Sequence, residues 1–430
     1  MLTKNSFTKV INRVVIDRLF RDSVWSLFGN VLGKGLALVA GIFIARFLGS
    51  EPFGEYGIVK NTIVTIGMLS TFGLGYTSTK FIAENRNARP AILRSIVNFT
   101  YGVTVAFSGL MAVLMFIFSN HVAGSLLHNI SLAPLLRGLS ILIVFNSITF
   151  SQIGILSGFG RFKQIARINS LSGIFMLVTS VCLTYFFGLS GALYALLLVQ
   201  VLNAALNDRE IRLSLPKKRF KVSEPALRRD ILRTSLPVAI QEVIYSLSTW
   251  LAALLLVRMT TYGELGLYSA AMQWNAIILF IPGIMRNVIL AHLSEISHDN
   301  ADHNTILKRV LIINFISALV PCVIIFLFSD IIASSYGATY VGLSALISWA
   351  VFETLFSSVG NVYSQAYLSI NKQKVVTMMR IGRDAGFLLL FVMLSRAEIL
   401  TGAKALIAAG VISHAVFLLF ASLLYHKIRS

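Results

Sequence analysis

Two lysines lie inside apolar stretches that are long enough to cross a membrane, and their charge is the strongest chemical signal in the sequence. Lys34 lies near the middle of a stretch from Val24 to Leu48, and Lys60 lies within the next stretch. A charged side chain at bilayer depth costs about 3 kcal/mol on insertion scales, so such residues normally face water or protein. Two cations at these positions predict an internal cavity that receives an anion.

Further polar residues extend this cationic set. Asn30 and Lys34 are four residues apart, so both side chains project from one helical face. Asn61 follows Lys60, and Arg286 lies near the inner end of a later span, where it could first contact cargo. Fixed ammonium groups stabilise a bound anion through charge-assisted hydrogen bonds. The alternatives are snorkelling or structural ion pairs for the lysines and interfacial anchoring for the arginine.

Three acidic residues also lie within apolar spans, namely Glu242, Glu353 and Asp384. Carboxyl groups in such surroundings can exchange protons near neutral pH, so all three are candidates for coupling transport to a proton or sodium gradient. The alternative is charge pairing. For Asp384 the simplest partner is a cation on another helix, since the adjacent Arg383 is expected to point elsewhere.

Polar and aromatic residues could line a path for sugars. Gln241, Tyr245 and Ser248 share a face of one span, and Gln273, Trp274 and Asn275 lie in the next. Amides bond hydroxyl groups, and aromatic rings stack on sugar faces. The alternative is interhelical hydrogen bonding and packing. The sequence contains no metal-ligand spacing and no phosphate-binding loop, so we expect no metal, no cofactor and no nucleotide-driven engine.

The composition is that of an integral membrane protein. The 430 residues are 56% hydrophobic and 13% charged, and the mean hydropathy is +0.78. A soluble domain of this length needs more polar surface than this. Because a helix needs about 20 apolar residues to cross a bilayer, the sequence predicts twelve spans, at 23–48, 56–79, 95–118, 135–157, 165–187, 190–206, 235–258, 266–290, 309–328, 341–369, 374–395 and 400–425. Two glycine pairs, Gly29 with Gly33 and Gly154 with Gly158, predict close packing of their helices.

The basic residues report topology and not nucleic-acid binding. Most of the 37 Lys and Arg residues lie in alternate connections between spans and in the two tails. Because loops rich in Lys and Arg stay in the cytoplasm, both termini are predicted to be cytoplasmic. This divides the chain into a basic tail with an interfacial helix (1–22), a six-helix bundle (23–206), a basic cytoplasmic linker (207–234) and a second six-helix bundle (235–430).

The two predicted bundles are related by a weak internal repeat. A constant offset of 212 residues aligns Arg46 with Arg258, Gly54 with Gly266 and Tyr56 with Tyr268. The same offset aligns Asn30 with Glu242. Since each half has an even number of spans, the halves run in the same direction about an axis along the membrane normal. This arrangement suits alternating access around a central cleft.

The segment Ala45–Tyr56, with Ala-Arg-Phe-Leu-Gly followed by Phe-Gly-Glu-Tyr, is distinctive. Together with Gly73-Leu74-Gly75, Phe81–Glu84 and the turn Ser157–Phe162, it resembles the Wzx-type O-antigen flippases of the multidrug/oligosaccharidyl-lipid/polysaccharide (MOP) superfamily. The resemblance is clearest over residues 23–170. It implies an all-α protein with twelve helices in two bundles around a V-shaped cavity, like the multidrug and toxin extrusion (MATE) transporters. It also implies flipping of an undecaprenyl-pyrophosphate-linked oligosaccharide across the bacterial inner membrane, with a polysaccharide polymerase as partner.

Three other functions remain open. A MATE-type drug or metabolite exporter coupled to H⁺ or Na⁺ would favour an acidic cavity for cationic drugs, whereas Lys34 and Lys60 favour an anion. A membrane polymerase of lipid-linked sugars typically has a large outer loop carrying arginines. The longest outer connection here, Ser119–Pro134, is short and contains no Lys or Arg. A scaffold would not explain buried charges in several spans. We therefore expect a transporter and not an enzyme.

Overall fold

The computed structural model describes residues 29–85, 90–215, 225–283, 285, 289, 300–370 and 372–429. The predicted interfacial helix of the N-terminal tail, part of the basic linker and Arg286 lie outside these residues. The described α-helices are α1 (Gly29–Leu48), α2 (Ser50–Ser70), α3 (Leu74–Glu84), α4 (Pro90–His121), α5 (Ala133–Gly138), α6 (Ser140–Gly158), α7 (Phe162–Ser214), α8 (Pro225–Met259), α9 (Tyr262–Ile278), α10 (Asn300–Leu327), α11 (Ser329–Tyr336), α12 (Leu343–Ser369), α13 (Gln373–Arg396) and α14 (Gly402–Arg429).

The helices have the length and apolarity of membrane spans, as predicted. Eight of those described could cross a bilayer singly, and α2 with α3, bent by 44°, could form a ninth span. The long α7 breaks at Gly188 (φ 56°, ψ −135°), between the fifth and sixth predicted spans. The charges Arg380, Arg383 and Asp384 in the middle of α13 keep it outside the apolar set. The total of twelve spans and the cytoplasmic position of the termini stay predictions.

The two halves meet through a glycine crossing of α2 and α9. A Cβ added at Gly54 would lie 1.8 Å from the Tyr262 carbonyl oxygen, and one at Gly266 would lie 1.9 Å from the Ser50 carbonyl oxygen. Only a residue without a side chain allows two backbones to approach so closely. Gly54 and Gly266 are the glycines that the 212-residue repeat pairs, and Ser50 and Tyr262 are related by the same offset. The crossing therefore lies where an axis relating the halves would pass.

The distribution of apolar cores gives the molecule its V shape. The largest cluster draws on both halves, with Ile44 and Phe53 from one and Leu256 and Tyr336 from the other. At the opposite end the cores are separate. One is built mainly from the N-terminal half together with Ile231 of α8, and the other lies within the C-terminal half. The halves are thus joined at the glycine crossing and apart at the end that carries the basic connections.

Hydrogen bonds across the halves reinforce the joined end. The Tyr340 hydroxyl lies 3.1 Å from the Ala45 carbonyl oxygen and 3.2 Å from that of Gly49. The Trp250 indole donates to the Thr62 hydroxyl over 2.9 Å. These bonds satisfy polar groups that have no water available at this depth. With the predicted topology, the joined end is the outer one and the cleft opens to the cytoplasm.

Candidate functional site

Lys34 and Lys60 both lie on helices of the N-terminal half with exposed side chains. The Lys34 ammonium lies 4.7 Å from the ring centroid of Phe280, which follows α9 in the C-terminal half, so this cation bridges the cleft. The Lys60 ammonium lies 5.7 Å from the ring of Tyr56, one turn earlier in α2. Contact with an aromatic face stabilises a cation without neutralising it. Both positive charges therefore stay available to an anion.

The alternative of a structural ion pair for these lysines finds no support. Among the described residues there are four ion pairs, and neither Lys34 nor Lys60 belongs to one. Two of the four lie on exposed helix surfaces, Lys80 with Glu84 and Arg212 with Asp208. The other two lie inside the C-terminal half and hold the acids described below.

The position of Lys34 follows from tight packing of α1 on α7. A Cβ at Gly29 would lie 2.7 Å from the Ala166 carbonyl oxygen, and one at Gly33 would lie 2.7 Å from that of Asn169. The prediction of close packing at this glycine pair is confirmed, as it is for Gly154 and Gly158 against α3. The amide of Asn169 donates to the Asn30 side-chain oxygen over 2.6 Å. Asn30 thus forms a hydrogen bond between α1 and α7, one turn from Lys34.

The residues predicted to form a sugar path have different environments. The Gln273 side chain lies over Gly41 of α1, and its buried oxygen has no hydrogen-bond partner among the described residues. The Trp274 indole donates to the Tyr336 hydroxyl over 3.2 Å. Ser248 donates to its own helix at Ile244. Tyr245 is 58% exposed and remains accessible. Nothing is described of the Gln241 side chain.

Glu353 of α12 faces His414 of α14. The carboxylate oxygen lies 3.3 Å from the histidine Nδ1, and the two side chains are 13% and 19% exposed. The same Nδ1 lies 2.9 Å from the Gly410 carbonyl oxygen. Because a carbonyl only accepts, Nδ1 must carry a hydrogen, and any second proton binds at Nε2. The pair can therefore hold or release one proton as a unit.

The neighbouring pair is Arg383 with Asp384. The guanidinium donates twice to one carboxylate oxygen, over 2.8 and 2.6 Å. The expectation that Arg383 points elsewhere is wrong, because its long side chain folds back along α13 to the acid beside it. Its guanidinium also lies 5.5 Å from the ring centroid of Phe417. Asp384 is thus neutralised on its own helix, and no cation from another helix is needed.

Tyr245 links these pairs into one network. Its hydroxyl is within electrostatic reach of Arg383 and of all three predicted acids, Glu242, Glu353 and Asp384. The sequence placed these acids on three separate spans, and the fold brings them together in the C-terminal half. We call the residues Glu242, Tyr245, Glu353, Arg383, Asp384 and His414 the charge network.

His414 was missed by sequence reasoning, although a signal was present. It is the only one of the seven histidines that lies inside a predicted span. A titratable side chain at that depth is a functional candidate by default. Arg383 was missed as a partner because adjacent residues on a helix point about 100° apart. Among the described residues no group of three or more His, Cys, Asp or Glu side chains could hold a metal ion.

Comparison with known proteins gives a family and a fold. The family described as polysaccharide biosynthesis protein matches residues 19–297. A search of curated proteins found no match. An inward-facing MATE transporter of the MOP superfamily is 16% identical with a TM-score of 0.79, covering 93% of this chain and 94% of that one. An outward-facing structure is 18% identical with a TM-score of 0.68, covering 95% of each chain.

A third solved structure is a MOP superfamily transporter from Pyrococcus furiosus Vc1, described as having a binding pocket of reverse polarity. It is 16% identical with a TM-score of 0.69, and the alignment covers 95% of each chain. At such identities the likeness concerns the fold. The all-α, MATE-like membrane architecture predicted from the sequence is confirmed.

Proposed function

The chain belongs to the polysaccharide biosynthesis protein family, and from this premise we propose that it flips a polyprenyl-pyrophosphate-linked oligosaccharide from the cytoplasmic to the periplasmic leaflet. The protein is a transporter of the MOP superfamily. The finer assignment rests on the two lysines. Neither Lys34 nor Lys60 is neutralised by an ion pair among the described residues, and Lys34 reaches across the cleft to the other half.

A pyrophosphate needs such charges to leave the membrane surface. Taking an anion out of interfacial water is costly unless hydrogen-bond donors of opposite charge replace the lost hydration. Ammonium groups do this with short, strong bonds of about 1.5–3 kcal/mol each. Exposed Tyr245 is the accessible aromatic surface for sugar rings near the cleft. The hydrocarbon tail stays in lipid throughout, so the protein has to shelter only the head group.

The transport cycle follows from the V shape. The cleft admits the head group at its open, basic end, while the glycine crossing keeps the other end closed. Separation of α2 from α9 and closure of the basic end would then deliver the cargo to the opposite leaflet. Release of a proton from the pair Glu353 and His414 is the step that we propose couples this change to a gradient. Glu242 and Asp384 belong to the same network and set its charge.

The proposal has consequences for location and partners. Cargo of this kind is assembled on the cytoplasmic face of the bacterial inner membrane and joined into O-antigen or another surface polysaccharide on the periplasmic face. We therefore propose that the protein lies in the inner membrane and supplies a polysaccharide polymerase. Neither requires a nucleic acid, a cofactor or catalysis by this chain.

The direct test is flipping of a fluorescent lipid-linked oligosaccharide by the purified protein in liposomes. Lys34→Ala should reduce binding of the pyrophosphate lipid about 10- to 100-fold, since losing one charge-assisted bond costs about 1.5–3 kcal/mol. Lys34→Arg should retain most binding, because the positive charge remains. Lys80→Ala is the matched control, since Lys80 lies on an exposed surface beside Glu84. Equal flipping by Lys34→Ala and the wild type would rule out the cationic site.

The same liposomes separate the flippase from the alternative of a drug exporter. A cationic dye offered at the same concentration should not be transported, because two uncompensated lysines repel it. Dye export that competes with no lipid-linked sugar, together with unchanged dye export in Lys34→Ala, would favour the exporter.

A further inference from the structure

An apolar groove runs between α13 and α14 and encloses about 620 Å³. We call it the tail groove and define it by Gly382, Gly386 and Leu390 of α13 and by Phe417, Phe420 and Leu424 of α14. It lies in the C-terminal half, beside the charge network. Nothing in the flipping mechanism above uses it.

The floor of the tail groove consists of two missing side chains. A Cβ added at Gly382 or at Gly386 would meet no atom within 4 Å. Glycines in this fold otherwise mark close contacts, such as Gly54 against α9 or Gly154 against α3, where a Cβ would lie 2.0 Å or less from a backbone oxygen. Helical glycine costs about 1 kcal/mol relative to alanine, so an unexplained pair on one face calls for an occupant.

The walls offer nothing to a polar ligand. The polar residues lining the groove are Arg383, Ser413 and Lys427. Arg383 is bound to Asp384, and the Ser413 hydroxyl donates to the Gly410 carbonyl over 3.0 Å. A sugar placed here would lose its hydration and gain few hydrogen bonds. A hydrocarbon chain loses nothing, so the occupant is apolar along most of its length.

The length and the charge of the groove fit a lipid with a phosphate at one end. From Ser413 to Lys427 α14 rises about 21 Å, roughly two thirds of the hydrocarbon thickness of a bilayer. Lys427 lies at the end that carries the basic connections, so its ammonium suits a phosphate there. The two glycines lie one turn apart, about 6 Å along the helix. Two recesses at a regular spacing suit a chain with regular methyl branches better than a straight acyl chain.

We propose that the tail groove binds the polyprenyl chain of the lipid carrier, with its phosphate near Lys427. This inference rests on the proposed function, because it takes the cargo to be polyprenyl-linked. The groove holds the tail on the C-terminal half while the head group enters the cleft. Arg383 lines the groove and pairs with Asp384, so an occupied groove touches the charge network directly.

The test is photo-crosslinking in lipid nanodiscs with a polyprenyl phosphate that carries a diazirine on its chain and bears no sugar. Labelled peptides are located by mass spectrometry. The wild type should be labelled on α13 and α14. Gly386→Leu fills one recess and should reduce that labelling about tenfold, the loss expected when about two methylene groups lose their burial.

Gly109→Leu is the matched control. Gly109 is a helical glycine of α4 whose Cβ would also meet no atom within 4 Å, but it lies outside the groove. Leucine favours a helix over glycine by about 1 kcal/mol, so neither variant should impair folding. Unchanged labelling in Gly109→Leu, with the expected fall in Gly386→Leu, supports the inference.

Three results would overturn it. Equal labelling by a phosphatidylglycerol carrying the same photoreactive group would mean that the groove takes bulk lipid. A change from dimer to monomer in Gly386→Leu, measured by mass photometry, would mean that a second copy of the chain covers the groove. Normal flipping by the wild type without groove labelling would refute the groove alone. If the wild type neither flips lipid-linked oligosaccharide nor binds polyprenyl phosphate anywhere, the proposed function fails with it.

Discussion

Replacing Gly54 by alanine should open the joined end of the molecule. The new methyl group would lie 1.8 Å from the Tyr262 carbonyl oxygen and 3.1 Å from the Gly266 nitrogen. These are backbone atoms and cannot rotate away. A carbon and an oxygen need about 3.3 Å, so α9 must move by about 1.5 Å. Overpacking of this kind typically costs about 1–3 kcal/mol.

That cost falls on one conformation. The clash exists while α2 and α9 are crossed, and it disappears when the halves separate at this end. A penalty of about 1–3 kcal/mol therefore shifts the ratio of closed to open molecules by about 5- to 150-fold. The repeat makes Gly266→Ala an equivalent change on the other helix. The double variant should cost less than the sum of the two, because the first methyl group already creates room for the second.

The assay is a distance measurement between spin labels at the joined end. Ile130 and Val341 lie in opposite halves and are 63% and 82% exposed, so cysteines there accept labels after the native Cys182 and Cys322 are replaced by serine. Gly54→Ala should populate longer distances. Gly67→Ala is the control on the same helix, because its Cβ would meet the nearest atom at an ordinary 3.4 Å. Identical distance distributions in Gly54→Ala and the wild type would refute a closed glycine crossing.

Three further outcomes are expected. Glu353→Gln and His414→Gln should each abolish stimulation of flipping by an imposed pH gradient while exchange without a gradient persists; stimulation that survives both changes would exclude this pair. Tyr340→Phe removes a hydrogen bond at the joined end worth about 1 kcal/mol, so the spin-label distances should lengthen less than in Gly54→Ala. Gly33→Val should separate α1 from α7 at a cost of about 1–3 kcal/mol and lower the melting temperature, whereas Gly35→Val, where a Cβ would meet no atom within 4 Å, should not.

The sequence predicted the architecture because membrane physics leaves few choices. An apolar run of about 20 residues must form a helix to satisfy its backbone in lipid. The break at Gly188, the packing at Gly29 and Gly33 and the MATE-like fold all follow from such local rules. The repeat added long-range information, since it related Gly54 to Gly266 before any contact was known.

The sequence could not predict which side chains meet across helices. Rotation of a helix by one residue turns a side chain by about 100°, so the pairing of Glu353 with His414 depends on the packing of α12 against α14. Asn30 shares a helical face with Lys34 within the accuracy of spacing, yet its oxygen is bound to Asn169 of α7. The tail groove has no signature in hydropathy at all, because it arises from two absent side chains.

The halves have a common scaffold but carry their charges at positions that the repeat does not relate. At the offset of 212 residues, Lys34 corresponds to Ser246, Lys60 to Met272 and Glu353 to Ile141. Ser246 is buried and bonds to the Thr65 hydroxyl across the halves, so a cation at that position would be desolvated. Duplication thus supplies the rocking geometry, in which both halves must match. Transport of an anion against a gradient requires that they differ, with an uncompensated positive half to hold cargo and an internally neutralised half to exchange a proton. The separation of unpaired lysines from paired acids is the arrangement that this requirement predicts.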